Sequence, residues 1–326
     1  MQTHGGMGLI TLSPHKLAEG LLILANSEGV ESATAWVDRI NQKSSIPAHT
    51  MVGIHALRIP DAIDIAGCSF MPVEQLKQSL AVSKWLVRAH RSDQLYWPET
   101  VAVLDTLCPN IYSDQLDEEH IKSVSEWRAK LSVILNAIGY ALNGSPSPGE
   151  MFHEYLDEDL EFLDHFGGYS WQNENAPRQL VPVTLTSAGV RAAERHLAAT
   201  GQVRRQLDLA AERLALARRR AGDADRAIDI SIALEALLGD TKKFDMTYKL
   251  SLRAARLLSD ERDERIKIRN TVKEFYSLRS RIVHGQVPVL KGNEANTIKE
   301  VGCYCNLLAL RIAASGINPN WDDVEL

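Results

Sequence analysis

The chain has 326 residues, 45% of them hydrophobic and 24% charged, a composition that describes a globular protein of two domain-sized parts. No apolar run reaches the roughly 18 to 20 residues that a membrane span needs, which excludes a membrane-embedded helical protein as the expectation. The net charge of −6 is unevenly spread: residues 201–326 hold 22 Lys+Arg against 18 Asp+Glu, or +4, leaving 14 against 24, or −10, for residues 1–200.

Residues 13–43 read as helix, started by Ser13 and Pro14 and carrying apolar positions at Leu17, Leu21 and Leu24, then Ala33, Val37 and Ile40. Residues 51–59 and 62–70 are short, β-branched and partly alternating, separated by Pro60 and Asp61, so they predict a hairpin or small sheet. Residues 73–90 and 120–142 read as helices, and the second is ended by 143–149 (NGSPSPG), whose prolines and glycines predict an exposed loop. Residues 151–166 are acidic, with His153 and His165 one turn from Asp157 and Glu161. Carboxylates at adjacent positions point to different sides of an element, so this stretch reads as a solvated face and not as a metal site. Residues 180–185 (LVPVTL) predict a short strand, with Thr186 or Ser187 capping the next helix.

The fold class is therefore mainly α, with an N-terminal α+β domain in residues 1–200 and a helical bundle in residues 201–326. The chain holds no GxxxxGK or GxGxxG sequence, which excludes a P-loop nucleotide hydrolase, and no cofactor is implied. Cys68, Cys108, Cys303 and Cys305 make neither a disulfide framework nor a zinc knuckle, because Cys303 and Cys305 diverge on a helix, so they read as buried thiols. Without a basic segment leading into an apolar one, the N-terminal text does not read as a signal peptide, and a cytoplasmic location is the expectation.

Five helical patterns follow one another in the bundle, at 202–221, 223–238, 247–258, 261–284 and 293–314. From 228 to 238 (IDISIALEALL) only Asp229, Ser231 and Glu235 are polar, so this helix is expected at the centre, ended by Gly239. In the fourth helix Ile268, Val272, Phe275, Arg279 and Ile282 share one stripe, which sets a guanidinium where an aliphatic side chain is expected. A buried carboxylate and a buried guanidinium each need a partner, so Glu235 and Arg279 are expected to pair in one polar cluster with His284, with Tyr276 and Ser280 at its edge. His284 precedes Gly285 at a helix C-terminus, where the dipole favours a protonated imidazole. Arg279 and His284 lie about 140° apart around a regular helix. They converge only if the last turn unwinds near Val283 or if a second chain completes the cleft. The alternative is an Arg279–Glu235 pair that locks the bundle while His284 caps the helix.

The succession of an ALEALL core helix, a basic helix and then YSLRSRIVHG across residues 223–286 resembles the HEPN domain (higher eukaryotes and prokaryotes nucleotide-binding), in particular its Apea-like branch, over roughly residues 202–326. The hallmark is Arg, four to six residues, His, met here by Arg279 and His284. The resemblance implies a homodimer whose active members cut RNA without metal at a cleft formed by both copies of the motif, as conditional nucleases in phage defence or as toxins. Attack by a ribose 2′-hydroxyl needs proton transfer and charge stabilisation on phosphate, roles that imidazole and guanidinium suit. His284 would then handle protons, Arg279 would clamp phosphate and Glu235 would orient Arg279. Many relatives carry Asn, Asp or His after the arginine, where this chain has Ser280, a hydrogen-bond donor but no base near neutral pH. Lys242, Lys243, Lys249, Arg253, Arg256 and Arg281 are candidates to track an RNA backbone, as are Arg218, Arg219 and Arg220. The acidic N-terminal domain would sense a trigger, bind a regulatory partner or restrain the nuclease. A noncatalytic dimer that binds RNA or assembles complexes is the alternative function.

Overall fold

The computed structural model describes residues 14–43, 45–76, 98–109, 118–157, 166–169, 181–239, 245–285, 290 and 292–325. The protein is mostly helical with a small sheet in its N-terminal region, and it divides into two compact units, residues 1–130 with 148–173 and residues 131–147 with 174–326. The expected boundary at residue 200 thus falls inside the second unit. Sequence order alone does not reveal that the chain enters this unit at residue 131, leaves it, and returns at 174.

In the first unit the helix expected over 13–43 is two helices, α1 (Pro14–Glu28) and α2 (Val30–Gln42), broken at Gly29, whose φ of 99° an L side chain rarely adopts. Ala33, Trp36 and Ile40 fall at i, i+3 and i+7 and form the buried stripe of α2. The strands are β1 (Ser45–His55), β2 (Leu57–Arg58), β3 (Ile63–Ile65), β4 (Cys68–Pro72), β5 (Thr100–Pro109), β6 (Ser147–Tyr155) and β7 (Phe166–Tyr169). Six of them form one sheet in the order β3-β4-β5-β1-β6-β7.

Of the hairpin or small sheet expected from 51–59 and 62–70, the sheet is present and the hairpin between the two segments is not. β1 runs antiparallel to β5 from Ser45 opposite Pro109 to Ile54 opposite Thr100, while β3 and β4 make their own hairpin around Ala66 and Gly67, with φ of 52° and 77°. Length decides this, since the β1–β5 ladder joins far more backbone groups than a local hairpin across Pro60 allows. Of the helix expected over 73–90, Val73–Gln75 is a single 3-10 turn, and residues 77–97 lie outside the described residues. Within the acidic stretch, Met151 to Tyr155 belongs to β6, and 158–165 lies outside the described residues.

The loop expected at 143–149 is not exposed: Ser145 and Ser147 are 5% and 1% accessible. Part of its backbone is satisfied within the protein, Gly144 N donating to Gly139 O at 2.9 Å and Pro146 O accepting from Arg219 Nη2 at 3.5 Å. A Cβ at Gly149 would collide with the His55 imidazole, so glycine there permits a close approach.

The second unit holds the C-terminal part of α3 (Glu118–Leu142), the short strand β8 (Val183–Thr184), α4 (Ser187–Ala198), α5 (Gly201–Arg219), α6 (Asp223–Leu238), α7 (Met246–Leu258), α8 (Arg262–Val283), α9 (Gly292–Ser315) and α10 (Trp321–Glu325). The five expected helices of the bundle are α5 to α9. Thr186 caps α4 as expected, its hydroxyl accepting from Gly189 N at 3.4 Å. The apolar helix α6 is central, packing against α5, α7, α8 and α9. Gly239 ends it in an extended conformation; a Cβ there would strike the Glu235 carbonyl. Among the described residues no helix is long and apolar enough to cross a membrane.

Candidate functional site

The helix pair α6 and α8 brings together four of the polar side chains picked out by sequence. α8 buries Ile268, Val272, Phe275, Tyr276 and Leu278, and Arg279 is half-buried at the outer end of that stripe. Tyr276 OH donates to Glu235 Oε1 at 3.3 Å, and Arg279 Nε donates to Ser231 Oγ at 3.4 Å. Ser231 in turn donates to Ile228 O at 2.8 Å, leaving its lone pairs for the guanidinium. The expected Arg279–Glu235 ion pair is therefore not made. Position 231 lies one turn before 235, and 279 lies one turn after 276, so the two contacts run in opposite order along the two helices. Ser231 stands level with Arg279, and Glu235 stands level with Tyr276. Burial raises the Tyr276 hydroxyl's pKa and the Glu235 carboxylate raises it further, which keeps that hydroxyl a donor.

His284 terminates α8 with its backbone N–H on Ser280 O at 3.1 Å, and Gly285 N follows on Ile282 O at 3.0 Å with φ of 69°. The last turn thus tightens and does not unwind near Val283. Helix geometry then leaves the Arg279 and His284 side chains about 140° apart around the axis. One chain does not bring them together. Ser280 and His284 are both exposed, and among the described residues the His284 imidazole has no hydrogen-bond partner.

Several basic residues expected at an RNA surface have internal roles. Arg253 is 2% accessible: it donates to Leu238 O at 2.7 Å and to Glu325 Oε1 at 2.7 Å, and its guanidinium lies 4.5 Å from the centre of the Trp321 ring, so it ties α10 to α7. Arg281 is held by the buried Glu294 at 2.6 Å. Arg220 pairs with Asp229, Arg219 donates to Ser145 Oγ at 3.2 Å, and Arg218 donates to Asn306 Oδ1 at 2.6 Å. A stem of three methylenes lets each guanidinium reach back into the protein, which residue type alone does not disclose. Lys249 is half-buried and Arg256 exposed, both on α7, whereas Lys242 and Lys243 lie outside the described residues.

Two further polar centres are not singled out by local sequence. Asp229, 2% accessible, is clamped by Arg213 at 3.3 Å and Arg220 at 2.8 Å; the sequence signal was an aspartate in an otherwise apolar helix, which pointed equally to Glu235. His196, fully buried on α4, meets Asp208 at 2.8 Å through Nε2 and Tyr140 OH at 3.4 Å through Nδ1. Among the described residues no group of three or more His, Cys, Asp or Glu side chains is placed to hold a metal ion. Compared with family models, curated proteins and solved structures, the chain matches none.

Proposed function

We propose that the protein is a metal-independent endoribonuclease of HEPN type, Apea-like, that cuts RNA through the 2′-hydroxyl at a site assembled from two copies of Arg279 and His284. The observation that carries this reading is the end of α8. An exposed imidazole, without a hydrogen-bond partner among the described residues, stands on a tight helix terminus five residues after a half-buried arginine, and helix geometry sets the two about 140° apart within one chain. A two-fold assembly would supply two imidazoles, one to accept the 2′-hydroxyl proton and one to protonate the leaving 5′-oxygen. Arg279 would place charge against the phosphate. Tyr276 and Glu235 support the helix pair from which Arg279 projects, and Ser280 is a positioning donor at most. We propose conditional use, in phage defence or as a toxin, with the N-terminal region as restraint or sensor.

The Arg279–Ser231 hydrogen bond favours one other reading, a noncatalytic HEPN dimer in which the arginine is a packing element. Incubation with mixed cellular RNA in EDTA separates the two. The nuclease predicts fragments ending in 2′,3′-cyclic phosphate that disappear with both Arg279→Ala and His284→Ala. Intact RNA in all three samples, with binding retained, would favour the module.

A further inference from the structure

The second unit contains a cleft of about 500 Å³ between α5, α6, α9 and the turn after α3. Its walls follow from helical spacing: Leu214, Ala217 and Arg218 line it from α5, Ile230 from α6, and Lys299, Cys303 and Asn306 from α9. Gly302 brings α9 close to α6, since a Cβ there would stand 3.3 Å from Ile230 Cδ1. The cleft therefore has an apolar body with polar groups along one wall and a lysine on α9. Arg218 Nη2 donates to Asn306 Oδ1 at 2.6 Å, and Asn306 Nδ2 donates to Asn143 Oδ1 at 3.1 Å, which fixes both asparagines around the guanidinium. Lys299 precedes Asn306 by seven residues, about 10 Å along the helix, and is exposed.

Among the described residues no Asp or Glu lines the cleft. Arg226 lines it too, but is already held by Asp223, Ala217 O and Arg220 O. Arg218 lines the cleft and has no carboxylate partner among the described residues. Among the described residues its neighbour Arg219 is bonded to Ser145 Oγ and Pro146 O and to no carboxylate. Burial depresses both guanidiniums, Arg218 to about 10. By contrast, Arg213, Arg220, Arg253 and Arg281 each meet a carboxylate. A buried cation without one is costly unless an anion arrives.

We propose that this cleft is a binding site for a small organic oxyanion, a carboxylate or phosphate monoester whose head meets Arg218 and whose apolar body lies along Leu214, Ala217 and Ile230. Lys299 stands nearer one end and attracts the ligand. The site is separate from the Arg279 and His284 motif and does not depend on its chemistry. Neutral molecules of the same shape lack the head that Arg218 requires.

Phenyl phosphate, benzoate and the neutral benzyl alcohol, titrated by calorimetry into the full chain, test the proposal and tell the two head groups apart. Saturable binding of one or both anions and none of the alcohol is expected, weakened about tenfold or more by Arg218→Met, as loss of a charged hydrogen bond implies. Lys299→Ala, at an exposed position that leaves the fold intact, should weaken it a few-fold and more at low salt than at high. Occupancy is located by Cys303, exposed on the cleft wall, whose alkylation followed on its own peptide should slow when the anion is bound. Equal binding of anion and alcohol, binding unchanged by Arg218→Met, or no binding of either anion at millimolar concentration would overturn the proposal.

Discussion

At the scale of single residues, charge type says little until the partner is known. Arg253 and Arg256 lie three apart on α7, yet the first is sealed against Leu238 O, Glu325 and Trp321 while the second is exposed. Arg253→Met should lower stability by about 3 kcal/mol, read from urea unfolding, because a buried carbonyl and the α10 anchor lose their donor; a change below about 0.5 kcal/mol would show that α10 is not anchored this way. Glu235→Ala and Tyr276→Phe should each cost about 1 kcal/mol, the value of one hydrogen bond, and the double variant clearly less than their sum. Strict additivity would contradict the contact at 3.3 Å. The sequence made Glu235, Tyr276 and Arg279 legible as polar groups on core helices. It did not reveal which rung of α6 faces which rung of α8, because Ser231 and Glu235 share a helix face and each offers an acceptor.

At the scale of elements, the helices of the bundle were legible because a 3.6-residue period repeated over many residues identifies itself without tertiary information. Strands were less so. β5 goes unread although Thr100 to Ala102 is fully buried, because its significance comes from pairing with β1, far away in the chain. His196 was passed over for a similar reason: α4 presents it to Tyr140 on α3 and Asp208 on α5, and no local spacing joins those three. Its environment carries a pH consequence. Burial lowers the His196 pKa, outweighing the opposing hydrogen bond and charge of Asp208, while Arg204, also bonded to Asp208, lowers it further. The unfolded chain takes up a proton near pH 6.5 and the folded chain only below that, so the unfolded state binds more protons in the interval. The stability that neutral His196 contributes is present above about pH 6.5 and is lost as pH falls towards the folded pKa. Urea midpoints of the parent should fall between pH 7.5 and 5.5 by more than those of His196→Gln; equal falls would assign the pH dependence to other groups.

At the scale of the whole molecule, part of the positive charge of residues 201–326 is committed to contacts within the helical unit. Arg253 and Arg281 are tied to acidic partners inside the helical unit, and Arg218, Arg219 and Arg220 also turn inward. That places the weight of the proposed chemistry on the end of α8, where Arg279 and His284 diverge, and makes a second copy of the chain the central requirement. The RNA cleavage rate in EDTA, followed over a dilution series with sedimentation of the same samples, tests this most directly. Activity per chain should fall in step with the dimer fraction and vanish with His284→Ala while that variant still dimerises. Constant activity per chain in samples that sediment as monomer, or full activity of His284→Ala, would contradict it.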